Sequence, residues 1–104
     1  MKRVIDGKLY STETATILHE YEHGYNTSDF HHYTEALYRT PKGAYFVAGS
    51  GGAMSPYSER LGSGSYGGGS GLRVVDESEA LEWLEEHGGT DAIIEYFGDK
   101  IEIA

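Results

Sequence analysis

Residues 76–98, DESEALEWLEEHGGTDAIIEYFG, decide how the rest of the chain is read. Asp76 and Glu79 have the spacing of a capping box, with Asp in place of the usual Ser or Thr, and Glu77 and Glu79 suit the positive start of a helix. The stretch therefore predicts a helix from Glu77 to His87. At about 100° per residue, Ala80, Leu81, Trp83 and Leu84 fall on one broad face, and Glu79, Glu82, Glu85 and Glu86 fall opposite. Gly88 and Gly89 stop this helix, and Thr90 is placed to cap a second, shorter one. Ile93, Ile94, Tyr96 and Phe97 supply the buried face of that second helix before Gly98 ends it.

The charge is as lopsided as the periodicity. From Asp76 to Ala104 ten acids stand against Lys100 alone, while residues 1–75 carry seven acids and seven bases, so the whole formal charge of −9 lies in the last 29 residues. The span from Glu79 to Glu86 rises about 10 Å at ~1.5 Å per residue, which puts its carboxylates at about one per 3 Å. One strand of DNA carries a charge every ~3.4 Å of axis, so the spacing of charge is similar. Glu82/Glu86, Glu79/Glu82 and Glu82/Glu85 are like-charged neighbours on the helix surface, each costing a few tenths of a kcal/mol, about 0.2–0.5. A plainer reading of the same face is solubility.

With 104 residues the chain is expected to form one domain, residues 1–104. Nine tyrosines, three phenylalanines and one tryptophan suit a half-buried sheet. The absence of cysteine excludes a disulfide scaffold and a zinc knuckle. No apolar run approaches a membrane span, and MKRVIDGK lacks the apolar stretch of a secretion signal, so the cytoplasm is the expected location. An acidic chain is repelled by phosphates, which argues against direct nucleic-acid binding.

Along the chain, Lys2–Ile5 and Lys8–Tyr10 flank an Asp-Gly turn and read as a hairpin. Residues 12–15 are a turn or one helical turn. Residues 16–23 alternate, with Ile17, His19 and Tyr21 on one face and Leu18, Glu20 and Glu22 on the other. That pattern reads as a strand, with a helix from near Thr12 to Gly24 as the competitor. A loop follows to His32. Residues 33–40 and 44–49, joined by Pro41, Lys42 and Gly43, form the clearest strand pair and the expected centre of the sheet. Residues 49–71 read as irregular, with Gly62–Gly71 a flexible loop. Leu72–Val75 is a final strand, and Ile101 and Ile103 form a short edge strand.

His19, Glu20, Tyr21, Glu22 and His23 spell HEYEH, which matches H-E-x-x-H. Zinc hydrolysis needs both histidines on one helical turn; on a strand they lie about 13 Å apart at ~3.3 Å per residue. His31 and His32 are adjacent and point apart. Gly62, Gly64 and Gly67 give G-x-G-x-x-G without the strand and helix a dinucleotide site requires. No catalytic residue, metal site or cofactor is therefore expected.

The run Leu37-Tyr38-Arg39-Thr40, then Gly43-Ala44-Tyr45-Phe46, Gly49 to Gly52, Tyr57, and the helix from Ser78 to Glu86 resembles a family of small proteins from bacterial mobile elements. The resemblance extends from IDGKLY to the final GDKIEIA, and the unusually glycine-rich loop departs from it. Such proteins resemble the small acidic anti-CRISPR proteins that block type I surveillance complexes. The resemblance implies a phage or mobile-element inhibitor that occupies a basic DNA-binding surface, and the chain is expected to be a monomer and not an enzyme. Glu79, Glu82, Glu85, Glu86, Asp91 and Glu95 are the expected partner-binding residues, and a CRISPR effector subunit is the expected partner. The alternative is an interaction module that binds through an aromatic sheet face, with the carboxylates serving solubility only. The fold expected in either case is α+β: a small antiparallel sheet of four to five strands carrying one or two C-terminal helices.

Overall fold

The computed structural model describes residues 1–24, 30–60 and 66–104. In chain order the strands are β1 (Lys2–Ile5), β2 (Lys8–Ser11), β3 (Thr16–His23), β4 (Tyr33–Arg39), β5 (Tyr45–Gly51), β6 (Glu59–Arg60), β7 (Tyr66–Gly67) and β8 (Gly69–Val75). Helices α1 (Glu77–Glu86) and α2 (Thr90–Phe97) follow, then one short 3₁₀ turn, Gly98–Lys100. β3-β4-β5-β8 form one antiparallel sheet; β1 pairs with β2, and β6 with β7, as separate ribbons. The α+β fold expected from the sequence is the fold observed.

Alternation along the strands gives the sheet two working faces. On one, Leu37, Val47 and Val75 join Ala80, Trp83 and Leu84 of α1 and Ala92, Ile93 and Phe97 of α2 in the main core. On the other, Phe46, Ala48 and Leu72 take Tyr10 of the β1–β2 hairpin, with Tyr38 stacked on Phe46 at 5.1 Å. The molecule is therefore hairpin, sheet and helices in three layers. The hairpin turn owes its geometry to Asp6 and Gly7, whose φ of 52° and 75° are the paired positive values that match the twist of the flanking strands.

A bulge at Ile17/His19 shifts the register of β3. It brings Leu18 to the helix side, packed against the main core beside His19, which corrects the strict alternation expected there. Three further expectations fail. The stretch expected to be irregular holds strand at Glu59–Arg60 and again from Tyr66, and β8 begins at Gly69 rather than Leu72, so only residues 62–65 of the expected flexible loop lie outside the described residues. Ile101 and Ile103 form no edge strand. In α2 the cap position falls to Gly89 without a side-chain bond, and Ile94 is 59% exposed while Ala92 takes its place inside.

The glycines of β5 and β8 have a packing reason. Across the sheet, Gly49 pairs with Gly71 and Gly51 with Gly69, so two rows of the helix face lack side chains. The chain from Gly52 to Ser58 lies down into that depression, with the Tyr57 ring over Gly49 and Gly71. A Cβ on Gly49 would sit 2.5 Å from the Tyr57 ring and 2.6 Å from the Thr34 carbonyl. Gly49→Ala is expected to cost about 1–3 kcal/mol in urea unfolding because the backbone on one side cannot give way. Gly98→Ala, with nothing within 4 Å and a φ of −57°, is the control and should be neutral or slightly stabilising. Equal stability of the two variants would contradict this packing.

Candidate functional site

Two features of the helix side carry chemistry: the outward carboxylates of α1 and α2, and a buried carboxylate beneath them. The first follows from the cap. Asp76 accepts from the Glu79 backbone N–H at 2.8 Å, and the Glu79 side chain accepts from the Asp76 N–H at 3.1 Å, the reciprocal bonds of a capping box. Once α1 is started there, Ala80, Trp83 and Leu84 turn inward and Glu79, Glu82, Glu85 and Glu86 turn out. Because α2 buries Ala92, Ile93 and Phe97 in the same core, Asp91 and Glu95 also face away from the sheet.

All six residues expected to meet a partner are thus exposed, on two helices that share one core. Among the described residues none of them is in an ion pair; Lys100 bonds Glu77 at 3.2 Å instead. Glu79 is partly committed to the cap, which leaves Glu82, Glu85, Glu86, Asp91 and Glu95 as the open set. Glu85 and Glu86 occupy the last turn of α1, which holds no basic residue. Carboxylates at that end oppose the helix dipole, so they are placed where helix stability gains nothing from them.

The second feature was not singled out in the sequence. Glu35 stands on β4 at 8% exposure, on the helix face with Leu37. Its Oε1 accepts from the Trp83 indole N–H at 3.1 Å, and its Oε2 accepts from Arg73 Nη1 at 3.0 Å and from the Tyr57 hydroxyl. Burial by itself would raise the pKa of this carboxyl, but the bonds from Tyr57, Trp83 and Arg73 outweigh it and hold the group below the usual glutamate value. Burial and the adjacent Glu35 push the Tyr57 hydroxyl well above the usual tyrosine range, so it remains a donor. Burial of Arg73 works against its charge, and Glu35 more than offsets that. An ionised carboxylate whose two oxygens are both engaged ties elements together: β4, β8, the 52–58 chain and α1 meet on it. The clue in the sequence was the period-two pattern that sets Glu35 on the side of Leu37, together with the only tryptophan facing the same way.

Around this tie the rings form a chain. Trp83 meets His87 at 4.6 Å, His87 meets Tyr21 at 4.2 Å, Tyr21 meets Tyr33 at 6.0 Å, and Tyr33 stacks on His23 at 4.9 Å. HEYEH is consequently distributed along strand β3. His19 Nε2 donates to the His87 carbonyl at 2.8 Å, and His23 Nδ1 bonds the Tyr21 hydroxyl at 3.2 Å. Glu22 turns to the other face and bonds His32 at 3.0 Å. Among the described residues no three His, Asp or Glu side chains are grouped to hold a metal ion. Of the G-x-G-x-x-G residues, Gly62 and Gly64 lie outside the described residues and Gly67 is in β7. No helix among the described residues is long and apolar enough to cross a membrane.

The pH dependence of stability follows from the depressed carboxyl. Its contribution is complete above the ordinary glutamate pKa of 4.5 and is lost as the pH falls through the lower folded value. Wild type should therefore lose stability across that acidic window, and Glu35→Gln should be flatter there while costing about 1–3 kcal/mol at neutral pH. Parallel denaturation curves of the two proteins from pH 7 down to pH 3 check this; identical slopes would remove the assignment. Family models, curated proteins and solved structures give no match to the chain.

Proposed function

We propose that the chain is a stoichiometric inhibitor whose acidic helices occupy the DNA-binding cleft of a basic protein. The resemblance noted in the sequence makes a subunit of a type I CRISPR surveillance complex the candidate target. One observation carries the reading: Glu82, Glu85, Glu86, Asp91 and Glu95 are exposed on two adjacent helices, without a basic partner among the described residues. Uncompensated like charges cost helix stability, and a field of one sign speeds encounter with a surface of the other. Such a face competes with duplex DNA for the same Lys and Arg residues, and its association weakens as salt screens the charges.

Glu82→Lys/Glu85→Lys/Glu86→Lys is the direct test. Circular dichroism should show an intact fold, while inhibition of target-duplex binding by the surveillance complex should weaken at least tenfold. Undiminished inhibition by the folded variant would contradict the reading. The ring chain from Trp83 to His23 favours a second reading, in which Tyr21 and Tyr33 meet a partner and the carboxylates serve solubility. Tyr33→Ala would then abolish binding and the triple charge change would leave it intact.

A further inference from the structure

HEYEH, set aside as a metal motif, occupies the outer strand of the sheet. β3 has β4 on one side, and among the described residues its other side pairs with no strand. An edge strand points half of its N–H and C=O groups away from the sheet, where another strand can take them up. The two edges differ in how they are guarded. At β8 the Arg3 guanidinium donates to the Leu72 carbonyl at 3.3 Å, so a side chain from the hairpin lies against that strand. At β3 the protection is the bulge at Ile17/His19, and from His19 to His23 the register with β4 is unbroken. Among the described residues, these five form a regular edge that no strand pairs with.

Their side chains specify what can join them. Glu20 and Glu22 are exposed on the hairpin side of the sheet and border a shallow cavity of about 530 Å³ with Thr34, Tyr38 and Ser50. The half of this face beyond the hairpin carries short side chains, Thr34 and Ala36 on β4 facing Ser50 and Ala48 on β5. There is room there for long side chains reaching in from the edge. A second copy of this chain is disfavoured as the occupant. Two β3 strands related by a two-fold axis through Tyr21 would set Glu20 of each against Glu22 of the other, like charges directly opposed.

We propose that the His19–His23 edge of β3 accepts an extended, basic segment of a protein partner, which adds to the sheet as a fifth strand. Main-chain bonds supply the attachment, and lysines or arginines at alternate positions lie over Glu20 and Glu22 and reach into the adjoining cavity. This surface is separate from the outward faces of α1 and α2 and does not depend on the function proposed for them.

The probe is the synthetic peptide TKVKVKT, titrated into the ¹⁵N-labelled full chain. Saturable shifts and slowed hydrogen exchange are expected at amides 19–23. Glu20→Gln/Glu22→Gln should weaken binding at least tenfold, whereas Glu82→Gln/Glu85→Gln/Glu86→Gln should change it less than twofold. TEVEVET, and a TKVKVKT peptide N-methylated at alternate backbone positions on its bonding edge, should not bind. The proposal is overturned if shifts gather on α1 and α2 instead, if the N-methylated peptide binds as well as the parent, or if no saturable binding occurs at millimolar peptide.

Discussion

A carboxylate withdrawn from water is tolerated only when its charge and both its oxygens are matched, and Glu35 is matched by donors from three separate parts of the chain. Trp83 comes from α1, Arg73 from β8 and Tyr57 from the segment after β5. None of these can be placed without the others. The indole fixes the depth and rotation of α1 on the sheet, and the guanidinium fixes the partner strand. The phenol pins a stretch that has few apolar side chains of its own. The glycine rows complete the arrangement, since a side chain at Gly49 would occupy the space of the Tyr57 ring, which also lies in contact over Gly71.

This tie also orients the acidic face. The outward direction of Glu82, Glu85 and Glu86 is the complement of the inward direction of Ala80, Trp83 and Leu84, and Trp83 is held by a directional bond as well as by packing. Apolar burial alone would leave α1 some freedom to roll or slide along the sheet; the N–H to Oε1 bond removes it. A helix intended to offer a row of charges to a rigid cleft benefits from such fixing, because each charge pair depends on position. Docking by the helices and addition to the β3 edge use different groups and different physics, screened charge in one case and main-chain bonding in the other.

The elements with strong local signals were legible in the sequence. The Asp76–Glu79 capping box, the Asp6-Gly7 turn and the alternating run Tyr33–Arg39 each rest on neighbours a few residues apart, and each formed where expected. What escaped notice depends on distant residues. Gly69, Ser70 and Gly71 look like linker, yet they are strand because Gly49, Ser50 and Gly51 face them and Tyr57 covers part of both. Leu18 changes sides because of a bulge that no periodicity announces. Ile94 is outside and Ala92 inside because the buried face of α2 is centred on Ala92, Ile93 and Phe97, a rotation that packing against the core decides. Of the candidate site, the exposure of the acidic residues was legible and the Glu35 tie was not, since its three donors lie 22, 38 and 48 residues further along the chain.

The dependence of the fold on one matched charge is open to direct observation by following the side-chain ¹³C signals of the glutamates through an acid titration, with the Trp83 indole proton recorded alongside. Glu35 is expected to titrate below the ordinary glutamate value of 4.5, with the indole resonance moving at the same midpoint. A Glu35 signal that titrates at or above that value, or an indole proton indifferent to it, would contradict the account.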